Sequence, residues 1–212
     1  VEKEIKISNI KLLFILLLSY ILLSVLNSQI VLTYDVFVNS YMSLPSDVIH
    51  RFYLFEKKFE LFTYLLVPIV VVVKLSVLAI MLFSGTLLQG LDCNLKSVFS
   101  ITIKAEFVNL CYSFAIMLGL WYNKSKIDSQ FLTDYYPFSL LYLFKNISIP
   151  IYLKEVLRVA NIFEVIYIIS LSYFLKTETG MSFKYSFYKI FSIYFPLLLL
   201  WVTVITFIFT AL

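Results

Sequence analysis

Charge is the scarcest feature of this sequence. Only 14% of its 212 residues are Asp, Glu, Lys or Arg, 17 of them basic and 13 acidic, where a soluble domain carries about a quarter. Apolar and aromatic residues make up 61%, and the mean hydropathy is +0.93. A soluble globule of this size cannot hide so much apolar surface, so lipid is the solvent that fits. Two cysteines are too few for a disulfide scaffold. Four glycines, with no GxxxG spacing, leave the common small-residue packing motif of membrane helices out as well.

Catalytic equipment is equally thin. His50 is the sole histidine and lies in an amphipathic stretch, where a solvated surface role is expected. No HExxH, GxSxG, Walker or dinucleotide-binding pattern occurs, which removes the readily recognised zinc, serine, nucleotide and nicotinamide chemistries. Cys93 and Cys111 stand alone without a second pair, so neither a metal site nor a cofactor is expected. Basic residues are scattered rather than clustered, which argues against nucleic acid. The expectation is a non-catalytic protein.

What is present is a set of apolar runs of membrane length. Five spans are expected, at about 12–32, 61–88, 105–122, 157–175 and 190–212, as helices because lipid offers backbone groups no partner. The first run is too long for a signal-peptide core, and Val25-Leu26-Asn27-Ser28 offers no small-x-small cleavage pattern, so an uncleaved span is expected. Lys104 and Glu106 sit at the start of the third, as charges of the inner interface.

Two connections read as tight helical hairpins. Gly90-Leu91-Asp92-Cys93-Asn94 and Thr177-Glu178-Thr179-Gly180-Met181-Ser182 each supply a glycine to end one helix and an Asn or Ser to cap the next. The other two connections are long and amphipathic. In Pro45–Glu60, Val48, Phe52, Phe55 and Phe59 recur at helical spacing opposite His50, Arg51, Lys57 and Lys58. Pro137–Phe144 is rich in Phe, Leu and Tyr but too short to span, so it is expected to lie against the bilayer surface or to re-enter it. The fold class is therefore all-α: a single polytopic membrane domain of five helices with interfacial segments on its outer side.

Basic residues outside the spans divide evenly between the two sides. The inner loops are the short ones, and lysines 3, 6 and 11 precede the first span, which favours an N-terminus inside and a C-terminus outside. Asn123-Lys124-Ser125 and Asn146-Ile147-Ser148 match the glycosylation pattern, which matters only in a eukaryotic secretory pathway. Abundant Lys, Ile, Phe, Tyr and Asn suggest an AT-rich genome and a bacterial inner membrane. The 21 Phe and 16 Tyr supply an interfacial belt first and a protein contact surface second.

Two charges fall deep inside spans. Lys74 lies near the middle of the second and Glu164 near the middle of the fourth, at similar depth, so an intramembrane pair is expected with Asn161 completing its hydrogen bonds. Lys154, Arg158 and Asn161 follow i, i+4, i+7 spacing and predict a polar stripe on one face of the fourth span. Such a pair serves either as a packing and registry device or as part of a polar path.

Leu95-Lys96-Ser97-Val98-Phe99 is echoed by Phe183-Lys184-Tyr185-Ser186-Phe187 after the second hairpin. With Lys104-Ala105-Glu106, Asn161-Ile162-Phe163-Glu164-Val165 and Thr179-Gly180-Met181-Ser182-Phe183-Lys184, this pattern resembles the Yip family of five-span membrane proteins, in its small prokaryotic members, over about residues 60–212. Eukaryotic members carry a longer cytoplasmic N-terminal region and act in vesicle traffic with small GTPases; about eleven residues precede the first span here, so that activity is not carried over. The resemblance implies a fold and a membrane role without naming a substrate. The resulting expectation is a scaffold, adaptor or accessory subunit of a membrane assembly concerned with transport or export, with protein partners in the bilayer. The alternative is a small transporter or permease subunit with a polar path lined by Lys74, Asn161 and Glu164.

Overall fold

The computed structural model describes residues 9–91, 93–144 and 149–211, with side chains omitted at 151, 152 and 208–211. Lys3, Lys6, Asp92, Lys145 and the Asn146-Ile147-Ser148 triplet lie outside the described residues. The chain is all-helical. Its long helices are α1 (Asn9–Val31), α3 (Ser46–Leu88), α4 (Leu95–Tyr122), α8 (Ile162–Thr179) and α9 (Phe183–Ala211). Shorter helices fill the connections: α2 (Tyr34–Ser40), α5 (Ser129–Asp134), α6 (Leu140–Leu143) and α7 (Ile151–Val159).

Among the described residues four helices, α1, α3, α4 and α9, are long and apolar enough to cross a membrane. The five expected spans therefore reduce to four on those criteria. The expected fourth, 157–175, is not continuous: α7 stops at Val159 and α8 starts at Ile162. Asn161 causes the break, because its side-chain oxygen accepts the backbone N–H of Glu164 at 2.8 Å and starts a new helix. The backbone groups freed there are taken up by a neighbouring loop, Leu140 N–H donating to Ala160 O at 2.9 Å and Ile162 N–H to Phe138 O at 3.1 Å. The α8 helix spans 18 residues and carries Glu164, Lys176 and Glu178.

Two further boundaries move. The amphipathic Pro45–Glu60 segment and the span after it form one helix, α3, of 43 residues, about 64 Å long. The third span begins ten residues before its expected start, at Leu95, because Asn94 caps it with a 2.7 Å bond from Ser97 N–H. Both hairpin glycines adopt the left-handed conformation that ends a helix, with φ of +68° at Gly90 and +72° at Gly180.

Side-chain contacts show that successive long helices alternate in direction. Ser28 near the end of α1 meets Glu60 and Tyr64 near the start of the apolar part of α3, whereas Leu16 meets Val71 and Leu75 farther along. Tyr112 of α4 meets Phe163 of α8, and Lys104 meets Glu178. The largest buried cluster unites Leu82, Ile101, Ala105, Tyr167, Leu171 and Ile190 from α3, α4, α8 and α9. A second cluster packs Leu16 of α1 against Leu75 and Ile103. A third, around Ile30, Met117 and Ile127, closes the end where α2 covers the bundle.

Candidate functional site

The fully buried carboxylate among the described residues is one that sequence placed at an interface. Glu106 is fully buried, because the early start of α4 puts it twelve residues into the helix instead of at its mouth. Its Oε1 accepts from Lys74 Nζ at 2.7 Å and from Tyr20 OH at 2.9 Å, and its Oε2 from Asn109 Nδ2 at 3.1 Å. One carboxylate thus ties α1, α3 and α4 together, each bond strengthened by low dielectric.

The expected pair of Lys74 with Glu164 is therefore corrected. Lys74 has Glu106 as its ion-pair partner, while the Glu164 carboxylate accepts from Tyr194 OH of α9. Among the described residues Glu164 has no cation within ion-pair distance. Lys104, expected beside Glu106 at the inner interface, instead bonds Glu178 at 3.5 Å, near the hairpin.

The polar stripe is divided by the same helix break. Lys154 and Arg158 lie on α7, whereas Asn161 is the cap of α8. Lys154 bonds Asp134 of α5 at 3.0 Å. Arg158 bonds Glu155 at 2.5 Å and Tyr136 OH at 3.2 Å, its guanidinium lying over the Tyr136 ring. Asn161 Nδ2 donates to Val159 O at 3.0 Å.

A cavity of about 690 Å³ lies between α3, α4, α8 and α9, within the size range of small-molecule sites. Its polar wall includes Lys74, Asn109, Arg158, Asn161 and Glu164, with the hydroxyl-bearing Tyr112, Tyr136, Tyr167 and Tyr194. Apolar side chains supply the rest, among them Val70, Val73 and Met81 from α3 and Leu197, Leu198 and Trp201 from α9. Val70, Val73 and Trp201 are more than half exposed on the outside of the bundle, so the apolar wall is continuous with the lipid-facing surface. At one end α3 and α9 close tightly: Gly85 lies against Ile193, and Gln89 Nε2 donates to Ser192 Oγ at 2.7 Å.

Two phenols in this wall lack partners. The hydroxyls of Tyr112 and Tyr167 are buried and make no hydrogen bond among the described residues, a costly arrangement if nothing else meets them. Of the charged and polar residues that the sequence singles out, Lys74, Arg158, Asn161 and Glu164 share one cavity, while Lys154, Lys104 and Glu106 do not line it.

Sequence reasoning passed over Asn109, Tyr112, Tyr167 and Tyr194. A signal existed for three of them. Glu106, Asn109 and Tyr112 recur every third residue on α4, and Asn161, Glu164 and Tyr167 do so at the start of α8. Polar residues at that spacing inside apolar helices mark an inward face.

Together these features define a class: a bundle of membrane-length helices with a buried carboxylate centre beside a cavity of mixed polarity. Comparison with protein-family models, with curated proteins and with solved structures finds no match to the chain.

Proposed function

We propose that this protein is a small membrane transporter or permease subunit that admits an amphipathic ligand to the cavity between α3, α4, α8 and α9. The observation carrying this reading is that Lys74, Asn161 and Glu164, the three residues of the expected polar path, line one cavity of about 690 Å³. Polar groups inside a bilayer are expensive, and several facing one space are most simply retained for a ligand or ion. In this reading α8, about 27 Å long and antiparallel to both neighbours, makes the fifth crossing. The termini then face opposite sides; the short inner loops favour an N-terminus inside, and the Lys-, Ile- and Asn-rich composition favours a bacterial inner membrane. A Yip-like membrane role belongs to the same proposal, on the motifs quoted above.

The test is native mass spectrometry of the protein extracted in mild detergent. A bound small molecule is expected on the parent protein and lost in Val77→Trp, which fills the cavity from α3. A parent protein that is always empty, or a ligand retained by Val77→Trp, would refute the cavity reading.

One observation favours a second reading, that of an adaptor. Phe52, Phe55 and Phe59 are each at least half exposed on the N-terminal part of α3, where Glu56, Lys57 and Lys58 lie among them. An aromatic ridge at that position suits a protein contact. Purification in mild detergent should then recover a partner that Phe55→Ser releases.

A further inference from the structure

The charges around the cavity do not balance. Lys74 is taken by Glu106 at 2.7 Å and Arg158 by Glu155 at 2.5 Å, which among the described residues leaves Glu164 without a cation of its own. There its carboxylate has only the Tyr194 hydroxyl as a side-chain donor. A carboxylate in so apolar a place is costly unless a positive charge approaches it.

The surroundings favour a particular kind of positive charge. Tyr112, Tyr167, Tyr194 and Trp201 line the space, and aromatic faces attract organic cations by their quadrupoles. Tyr167 is only 1% exposed, yet among the described residues its hydroxyl has no partner, and that of Tyr112 has none either. Phenol oxygens accept as well as donate. Both residues line the same cavity as Glu164, so their hydroxyls can add acceptors to its carboxylate for the N–H donors of an ammonium. The apolar wall of Val70, Val73, Leu197 and Leu198 suits a hydrocarbon tail.

We propose that the cavity is a binding site for a lipophilic amine, held as its ammonium by Glu164, with Tyr112 and Tyr167 as the remaining acceptors and the tail along α3 and α9. This rests on the ligand-cavity reading above and names its substrate class.

Trp201 in the cavity wall supplies the readout. The full chain, carrying Trp121→Phe so that Trp201 is its only indole, is placed in phosphatidylcholine nanodiscs. It is titrated with 12-bromododecylammonium and, separately, with 12-bromododecanoate, whose bromine quenches a nearby indole. The two probes share a tail and differ in head charge. Saturable quenching by the ammonium is expected at lower concentration than by the carboxylate. Glu164→Gln should weaken ammonium binding at least tenfold, and Tyr167→Phe should weaken it several-fold. Tyr167→Phe removes only a hydroxyl without a partner, so it is expected to fold even where Glu164→Gln does not. Lys74→Met, which removes a competing cation, should preserve ammonium binding or tighten it. Tighter binding of the carboxylate, or unchanged ammonium affinity in both Glu164→Gln and Tyr167→Phe, would overturn the amine assignment and leave the cavity reading standing. No saturable quenching by either probe would count against the cavity itself.

Discussion

Replacing Glu106 by Leu should be the most damaging single change in the bundle. The substitution removes a fully buried carboxylate and strands three donors at once: the Lys74 ammonium, the Tyr20 hydroxyl and the Asn109 amide. A lysine at mid-bilayer costs about 2.5–3.5 kcal/mol on insertion scales, and each neutral donor left alone costs about 1–3 kcal/mol. Lys74 recovers part of its share, because half of its side chain is exposed and can turn toward the cavity. The net expectation is the about 3–5 kcal/mol typical of breaking one side of a buried pair. For a chain of this size that is a fall in Tm of roughly 6–20 °C. Lys74→Met should cost less, about 1–2 kcal/mol, since Glu106 keeps two donors. The double variant should be more stable than Glu106→Leu alone by about 2 kcal/mol, which with the cost of Lys74→Met makes a coupling of about 3–4 kcal/mol, at the upper end for contacting residues. Thermal unfolding of the four proteins in one mild detergent, followed by tryptophan fluorescence and by aggregation, measures the cycle. Strictly additive effects, or a Glu106→Leu shift below about 3 °C, would refute the claim that this carboxylate holds α1, α3 and α4 together.

Two other perturbations probe the frame around the cavity. In Gly85→Ala the new Cβ would sit 2.6 Å from Ile193 Cγ2, so α3 and α9 must part; a loss of about 1–3 kcal/mol is expected, read as a lower unfolding temperature that Ile193→Ala restores. Asn161→Ala removes the 2.8 Å cap on Glu164 N–H and should cost about 1 kcal/mol, while Asn161→Asp, which keeps the acceptor, should stay near the parent in the same assay.

The apolar runs are easy to read because lipid demands long uncharged helices, and all four membrane-length helices overlap expected spans. Hairpin glycines are equally readable, since Gly90 and Gly180 do what only glycine does cheaply. Charge is the poor guide to helix ends. Ionised groups usually avoid lipid, which points to a helix mouth for Glu106, although the cap residue Asn94 marks the true start. The sequence Asn161-Ile162-Phe163-Glu164 carries the Asn-x-x-Glu spacing of a helix start, but the apolar run on both sides of it hides the break. Partner choice is less accessible still. Similar depth on parallel helices brings Lys74 and Glu164 to one cavity, whereas helix rotation decides that Lys74 meets Glu106, and rotation depends on packing that one sequence does not display.

The 43-residue helix α3 also has a mechanical consequence. It is about twice as long as a hydrocarbon layer is thick, which is more than one crossing needs. Gly85 is clasped by Ile193 at one end, and Ser46 lies 39 residues away, about 58 Å along the axis. Pivoting on that clasp, a tilt of about 5° would carry the far tip through roughly 5 Å and the stretch beside the cavity through at most about 2 Å. A push on the tip would therefore reach the polar centre as a smaller displacement. Pro68, lacking the amide hydrogen that would tie it to the preceding turn, removes one backbone bond from the shaft.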